Sequence, residues 1–120
     1  WLRPSWYMNE HDDRVRLRHM LDYAREAVAL TQGRSREDLD QDRLLQLGLV
    51  RLIEIVGEAA TRITQETRSQ YPHIPWPQIA GMRNRLIHGY DSVDYDILWQ
   101  TIKKDLPDLI AGLERAGGEE

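Results

Sequence analysis

The sequence has no cysteine, no long apolar run and no excess of positive charge. Without cysteine, neither a disulfide framework nor a thiolate metal site can form, which fits a reducing compartment. No stretch approaches the roughly 18 apolar residues of a membrane span. The formal net charge is −4, whereas a generic nucleic-acid coat would be strongly basic, so any contact with RNA must be local. The expectation is a cytoplasmic globular protein with no membrane segment.

The length of 120 residues suits one domain with a single packed core. Residues 1–8 are expected to be disordered or derived from cloning, because Trp1–Tyr7 lack a secretory signal and Met8 is a candidate natural start. The helical domain is predicted over residues 9–116. Residues 117–120 are expected to form a frayed tail.

Helical periodicity dominates the chain, and no strand-like alternation stands out. One apolar stripe runs from Leu17 to Thr31 and ends at Gly33. A second helix is predicted from about Asp42 to about Gln70. Its main stripe consists of apolar residues at helical spacing: Leu45, Leu49, Leu52, Ile53, Val56, Ala60 and Ile63.

Apolar residues of the second helix also lie outside that stripe, namely Leu44, Leu47 and Ile55. The helix should therefore pack on more than one side, and in a chain this small a second subunit is expected to cover the extra side. Gly57 sits in the middle of the helix although it costs about 1 kcal/mol relative to alanine. It therefore predicts a tight crossing with another helix.

Three prolines between Tyr71 and Pro77 must break the helix. Pro75 or Pro77 then suits the first turn of a short helix that is predicted to stop at Gly89. The last helix, from about Asp94 to Ala116, should be kinked by Pro107. Together these elements predict an all-α, up-and-down four-helix bundle with a short extra helix, assembled as a dimer.

The octapeptide Arg83–Tyr90 brings an arginine, a histidine and a tyrosine together. Arginine offers a fixed fork of donors to a phosphate, and histidine can exchange a proton near neutral pH. Cutting RNA without a metal needs little more, because RNA supplies its own 2′-hydroxyl nucleophile. Asn84 and His88, four apart, would share one helical face. Arg83 could meet His88 only by reaching around the helix or across a subunit boundary.

A purely structural interpretation of the octapeptide is also open. Arg83 and Arg85 would then be solvated, His88 would cap the end of the helix and Tyr90 would pack on the bundle. Since the spacing alone is weak evidence for a site, the rest of the chain has to decide between the two interpretations.

Other polar and aromatic residues favour structural roles. Glu54 and Glu58 are four apart and stand at helical-pair spacing from Arg51 and Arg62, which indicates a salt-bridged face. The alternative is that Glu58 borders a cleft. The remaining histidines lack metal-ligand spacing with one another and are expected at the surface; they are His11, His19 and His73. Two tryptophans are expected to be core anchors, Trp76 and Trp99.

From about Arg14 to Leu113 the chain resembles the HEPN superfamily, and within it the HepT-like toxins of HepT–MntA toxin–antitoxin pairs. The family motif is an Arg, four residues, a His, one residue and a Tyr, with a polar residue after the Arg. Four residues match this motif, namely Arg83, Asn84, His88 and Tyr90. Further stretches carry the likeness: Gly57–Ala60, Ile74–Trp76, Ile79–Met82 and Asp105–Pro107.

The resemblance implies a metal-independent endoribonuclease that acts as a toxin and needs no cofactor. It also implies a homodimer in which Arg83 of one chain approaches His88 of the other. The two histidines would serve as general base and general acid, while Arg83 would hold the scissile phosphate. Asn84 would orient His88 or the ribose, and the product would carry a 2′,3′-cyclic phosphate. Candidate cleft residues are Glu58 and Arg85.

The resemblance further implies a partner, an MntA-like minimal nucleotidyltransferase that acts as the antitoxin by transferring AMP onto Tyr90. The chief alternative is a non-catalytic helical module that docks such a nucleotidyltransferase, with the motif serving the partner rather than RNA. A third interpretation, a structural dimerisation bundle, would leave His88 and Tyr90 without a role.

Overall fold

A computed structural model describes the backbone of residues 5–89 and 92–117 and the side chains of residues 12–89 and 92–117. The elements in chain order are α1 (Ser5–Leu30), α2 (Arg36–Asp40), α3 (Arg43–Arg62), α4 (Gln65–Gln70), α5 (Trp76–Ala80), α6 (Met82–Leu86), β1 (Ile87–His88), β2 (Ser92–Val93), α7 (Tyr95–Gln100), a π-helical turn (Thr101–Asp105) and α8 (Leu106–Gly117). The all-α prediction is confirmed. The sequence pattern missed the small antiparallel hairpin of β1 and β2.

The long helices α1 and α3 pack along each other, and α8 also packs against α1. Their fully buried contacts come from both faces of this interface: Met20, Ala24, Ala27, Leu49, Ile53, Val56, Leu106 and Leu109. The described helices include none with the length and apolar character that a bilayer crossing requires. The core therefore lies between three long helical rods, with α5 and α6 closing it at one side.

Helix α3 begins as expected, because Asp42 caps it by accepting a hydrogen bond from the Leu45 backbone N–H at 3.0 Å. The same hydrogen bond, together with Arg34, lowers the pKa of the Asp42 carboxyl. The prediction that this helix continues to Gln70 is wrong. It ends at Arg62, and Thr64 caps the separate helix α4 through its hydroxyl, which accepts from Thr67 N–H at 3.3 Å.

The crossing predicted at Gly57 is confirmed. A Cβ atom added at Gly57 would lie 3.3 Å from the carbonyl oxygen of Ile79 in α5. A side chain at this position would crowd the carbonyl, so the glycine allows the α5 backbone to approach α3 this closely without a shift. Gly57 thus helps to set the position of α5. It thereby also affects where α6 starts, since only Gly81 separates the two helices.

The outward face of α3 is partly apolar. Leu44 is 81% exposed and Leu47 is 51% exposed, while Ile55 is half-buried. The prediction that these residues stand outside the core stripe is confirmed for the two leucines. The second subunit expected to cover them stays a prediction.

The proline segment breaks the chain as expected, and Pro77 lies in the first turn of α5. The short helix predicted to run on to Gly89, however, is two helices. Gly81 separates α5 from α6, and α6 ends at Leu86. Gly89 has a φ of +73°, a left-handed conformation that glycine adopts without strain, and it turns the hairpin instead of capping a helix.

Helix α7, the π turn and α8 follow one another without a break and form the last helical rod. It begins at Tyr95, where the Asp94 side chain caps it by accepting a hydrogen bond from Ile97 N–H at 3.0 Å. A π turn lies just before Pro107, while the kink predicted at this proline stays a prediction. Proline has no N–H to donate and would crowd the carbonyl one turn back. In the π turn, Leu106 N–H instead reaches the carbonyl of Thr101, five residues earlier.

The predicted domain limits stay predictions. Helix α1 begins at Ser5, inside the segment 1–8, and α8 ends at Gly117, the first residue of the expected tail. Residues 1–4 and 118–120 lie outside the described part of the chain.

Candidate functional site

The first residues of the octapeptide belong to α6, and the rest follow the end of this helix. Met82 and Leu86 are fully buried and anchor this helix, whereas Arg83, Asn84 and Arg85 between them are exposed. One turn of helix thus presents three consecutive polar side chains to the outside of the bundle. Because they are consecutive, they point in different directions.

Arg83 is held by a residue of α3. Its Nε donates a hydrogen bond to Oε2 of Glu54 at 3.0 Å. The other carboxylate oxygen of Glu54 lies 4.0 Å from Nη1 of Arg51. The Glu54 side chain is only 28% exposed, while that of Arg83 is 51% exposed. The guanidinium is therefore anchored at its inner edge and open at its outer one.

Arg83 stands at the edge of a groove of about 560 Å³ between α1 and α3. The apolar lining consists of Val15, Ile55 and Ala59. The charged and polar lining residues come from both helices and from α6: Asp12, Arg16, His19, Arg51, Glu54, Glu58, Arg62 and Arg83. Arginines outnumber carboxylates in this lining, so the groove carries a small local excess of positive charge on a chain that is acidic overall.

Glu58 forms an ion pair with Arg62 at 3.1 Å, as the helical spacing predicts. It also lines the groove, and its place in a catalytic cleft stays a prediction. For Glu54, the spacing pointed to Arg51, but its short contact is with Arg83, 29 residues away. Nothing in the local sequence signals that partner, because the contact depends on how α6 packs against α3.

The helical geometry predicted for Asn84 and His88 is wrong. His88 lies beyond the end of α6, in strand β1, where it pairs with Ser92 of β2. Both side chains are exposed, and neither lines the groove beside Arg83. Within the described residues, neither side chain makes a hydrogen bond to another residue. One chain thus presents Arg83 to the groove and His88 on a separate hairpin.

Arg85, a predicted cleft residue, does not line that groove. Its Nη1 donates to the carbonyl oxygen of Gln78 at 2.9 Å, and its Nη2 lies 4.0 Å from Asp105. It lines a different depression beside the π turn, together with Thr101 and Lys104. The guanidinium of Arg85 is thus tied to the bundle. Tyr90 lies outside the described residues, and its role stays a prediction.

The histidines and tryptophans outside the motif occupy mostly structural positions. His73 is exposed, yet its ring Nε2 donates to the carbonyl oxygen of Gly112 at 3.0 Å, which ties the proline segment to α8. His19 is exposed and borders the groove. The side chain of His11 is outside the described part.

The two tryptophans pack against the core. Trp76 is buried as predicted, and its indole N–H donates to the Tyr71 carbonyl at 3.1 Å, while Trp99 is half-buried against the core.

Known proteins match most of the chain. A protein named "Probable ribonuclease HepT" from Thermococcus cleftensis is 38% identical over 94 residues, which cover 75% of this chain and 86% of that protein. "Putative RNase TTE0752" from Caldanaerobacter subterraneus is 41% identical over 93 residues, covering 78% of this chain and 83% of that protein. "Putative RNase MJ1216" from Methanocaldococcus jannaschii is 33% identical over 108 residues, covering 90% of this chain and 89% of that protein.

No solved structure gives a significant match to the chain. The model of the family described as "Ribonuclease HepT-like" matches residues 20–116, from the second half of α1 to the last turn of α8. The match therefore includes the groove residues of α3, the octapeptide and the hairpin. Because this model covers most of the chain, the protein belongs to the Ribonuclease HepT-like family.

Proposed function

We propose that the protein is a metal-independent endoribonuclease and the toxin component of a type VII toxin–antitoxin system. The observation that carries the proposal is the way the Arg83 guanidinium is hydrogen-bonded. Its guanidinium is anchored through Nε alone, at the edge of a groove, with its two terminal nitrogens directed to no acceptor among the described residues. Such a guanidinium offers a bidentate grip to a phosphate. Membership of a family described as ribonucleases supports RNA as the source of that phosphate.

In the proposed reaction the substrate supplies the nucleophile. The ribose 2′-oxygen attacks the adjacent phosphorus, and its proton passes to a neutral His88 that acts as the general base. The bond from phosphorus to the 5′-oxygen breaks, and a second, protonated histidine donates a proton to the leaving oxygen. Arg83 neutralises the charge that develops on the non-bridging oxygens. The products are a 2′,3′-cyclic phosphate and a free 5′-hydroxyl.

A homodimer would supply the second histidine. A single chain carries one His88 at the hairpin, away from the groove beside Arg83, which supports a site shared between two copies. The exposed leucines Leu44 and Leu47 on α3 support the same assembly, because a second copy would remove them from water. Asn84, next to Arg83 and exposed, is available to orient His88 of the other copy or the ribose.

Tyr90 is the proposed control point. A partner nucleotidyltransferase of the MntA-like kind would transfer AMP onto the tyrosine hydroxyl, which attacks the α-phosphate of ATP and releases pyrophosphate. Each added phosphodiester carries a negative charge close in sequence to Arg83, where it can occupy the phosphate grip and repel RNA. The added nucleotides would also obstruct the approach to His88.

A second candidate function is a non-catalytic helical module that docks the nucleotidyltransferase. The net charge of −4 and the carboxylates among the groove residues favour it, since both weaken attraction for RNA. In that case the exposed face of α3 would contact the partner instead of a second copy.

Cleavage of total RNA in excess chelator tests the proposal. We expect cleavage to survive the chelator, to fall about 10²–10⁴-fold in His88→Ala through loss of proton transfer, and to fall about 10²–10³-fold in Arg83→Ala. Arg115→Ala, which removes an exposed arginine at the far end of α8, should cut like the parent. Equal cutting by His88→Ala would refute the proton-transfer role, and an inactive parent would favour the docking module.

A further inference from the structure

We propose that Glu54 is a positioning residue that aims Arg83 at the scissile phosphate. This inference rests on the proposed function, in which Arg83 binds that phosphate. Glu54 is well placed for the task, because its neighbours Ile53 and Val56 in α3 are fully buried and hold this part of the helix in place. By contrast, α6 is only five residues long, and Arg83 alone could adopt many side-chain conformations from it.

The way Glu54 holds Arg83 leaves the functional edge of the guanidinium free. A guanidinium has five N–H donors, and Glu54 accepts from the single one on Nε. The four donors on Nη1 and Nη2 bond to no residue that the structure describes. A bidentate grip on a phosphate needs two of them. Arg85 contrasts with this arrangement, because its Nη1 is already bonded to the Gln78 carbonyl.

The local charges also allow Glu54 to position Arg83 without removing the attraction of this site for a phosphate. A lone carboxylate beside Arg83 would cancel its positive charge and weaken its attraction for a phosphate. Arg51, 4.0 Å from the other carboxylate oxygen, adds a second positive charge. The three groups together carry a net charge of +1, so the trio still attracts an anion.

Kinetics of the full-length protein test the positioning role. We expect Glu54→Ala to lower kcat by about 10- to 100-fold with KM changed less than about threefold. The reason is that a misdirected Arg83 guanidinium loses mainly its contacts with the transition state. Glu54→Gln keeps an oxygen that can accept from Nε–H and should recover most of the lost rate. Glu114→Ala, which breaks an arginine–carboxylate pair with Arg25 between α1 and α8 at 2.6 Å, should leave kcat unchanged.

A double-mutant cycle separates positioning from general damage. In an Arg83→Ala background, Glu54→Ala should lower the residual rate by less than about twofold, since its effect passes through Arg83. Independent losses that multiply would overturn the proposal. So would a Glu54→Ala protein that cleaves RNA as fast as the parent, and in that case the proposed ribonuclease function would stand.

A spectroscopic measurement tests the same contact without RNA. The Nε–H signal of Arg83, assigned by its absence in Arg83→Lys, should exchange with water at least about tenfold faster in Glu54→Ala, since a hydrogen-bonded N–H is protected. An unchanged exchange rate would overturn the proposal. Faster exchange in Glu54→Ala, combined with an inactive parent, would uphold the positioning contact and refute the ribonuclease function.

Discussion

Asp13 of α1 accepts hydrogen bonds from both the backbone N–H and the hydroxyl of Thr64, 51 residues later in the chain. The hydroxyl of Thr67 donates to the same carboxylate. Asp13 is almost fully buried. One carboxylate therefore fixes the point at which α3 stops and α4 starts, and it ties that point to α1.

Replacing Asp13 by alanine should destabilise the fold by about 2–3 kcal/mol, because a part-buried N–H and two hydroxyls lose their acceptor. Chemical denaturation followed by circular dichroism measures this change. Asp22→Ala, which removes a surface carboxylate paired with Arg18, should stay within about 0.5 kcal/mol of the parent. If both variants unfold alike, the Asp13 contacts contribute nothing beyond a surface ion pair.

Two glycines of α3 should respond to alanine in opposite directions. A Cβ atom added at Gly48 would have no neighbour within 4 Å. Gly48→Ala should therefore stabilise the protein by up to about 1 kcal/mol, because alanine has the higher helix propensity. Gly57→Ala brings a Cβ to 3.3 Å from the Ile79 carbonyl oxygen. Crowding costs about 1–3 kcal/mol, so a net loss of stability is expected. Thermal melting of the two variants side by side checks the difference, and equal gains would show that α5 moves away freely.

The protein is expected to be a homodimer with a mass about twice 14.1 kDa by light scattering at micromolar concentration. The double variant Leu44→Glu and Leu47→Glu should give the mass of one chain, because buried carboxylates without partners oppose association. Leu30→Glu alters an exposed leucine at the end of α1 and should remain dimeric. A parent protein that is cleanly monomeric would remove the shared site from the mechanism.

Co-expression with the partner nucleotidyltransferase should add AMP increments to the intact mass, and peptide mapping should place them on Tyr90. Tyr90→Phe lacks the accepting hydroxyl and should stay unmodified and escape inhibition. Tyr95→Phe, at the start of α7, should be modified like the parent. Should Tyr90→Phe remain fully inhibited, the partner must act by occluding the protein.

Much of the fold follows from periodicity and side-chain chemistry. The buried stripe of α3 and the exposed Leu44 and Leu47 were predictable, because they depend on spacing along a single helix. The close approach at Gly57 was predictable from the residue type, because a glycine inside a helix usually marks contact with another element. Asp94 lies at the expected start of the last helix for the same reason, since a capping residue acts on its own neighbours.

The features that the sequence did not reveal arise from contacts between distant segments. The end of α3 depends on Asp13, and the anchoring of Arg83 depends on Glu54, neither of which is a local partner. The hairpin strands have two residues each, too short to show alternation, so His88 looked like the continuation of a helix. Candidate site residues could therefore be named from the sequence, whereas their relative placement could not.

The π turn changes the winding of the last helical segment, which runs from α7 through α8, and its core side chains stay buried across it. Leu98, Ile102 and Leu106 follow one another at four-residue spacing, and all three are fully buried. The rod is in effect an α-helix that has absorbed one inserted residue. Deleting Lys104 would remove that insertion and rotate α7 against α8 by about 100°. The N–H of Asp94, just before α7, bonds at 2.7 Å to the carbonyl of Leu86, which is itself buried in the core. The deletion would therefore strain this hydrogen bond, so the length of a helix to which His88 does not belong is tied to the base of the hairpin that carries His88.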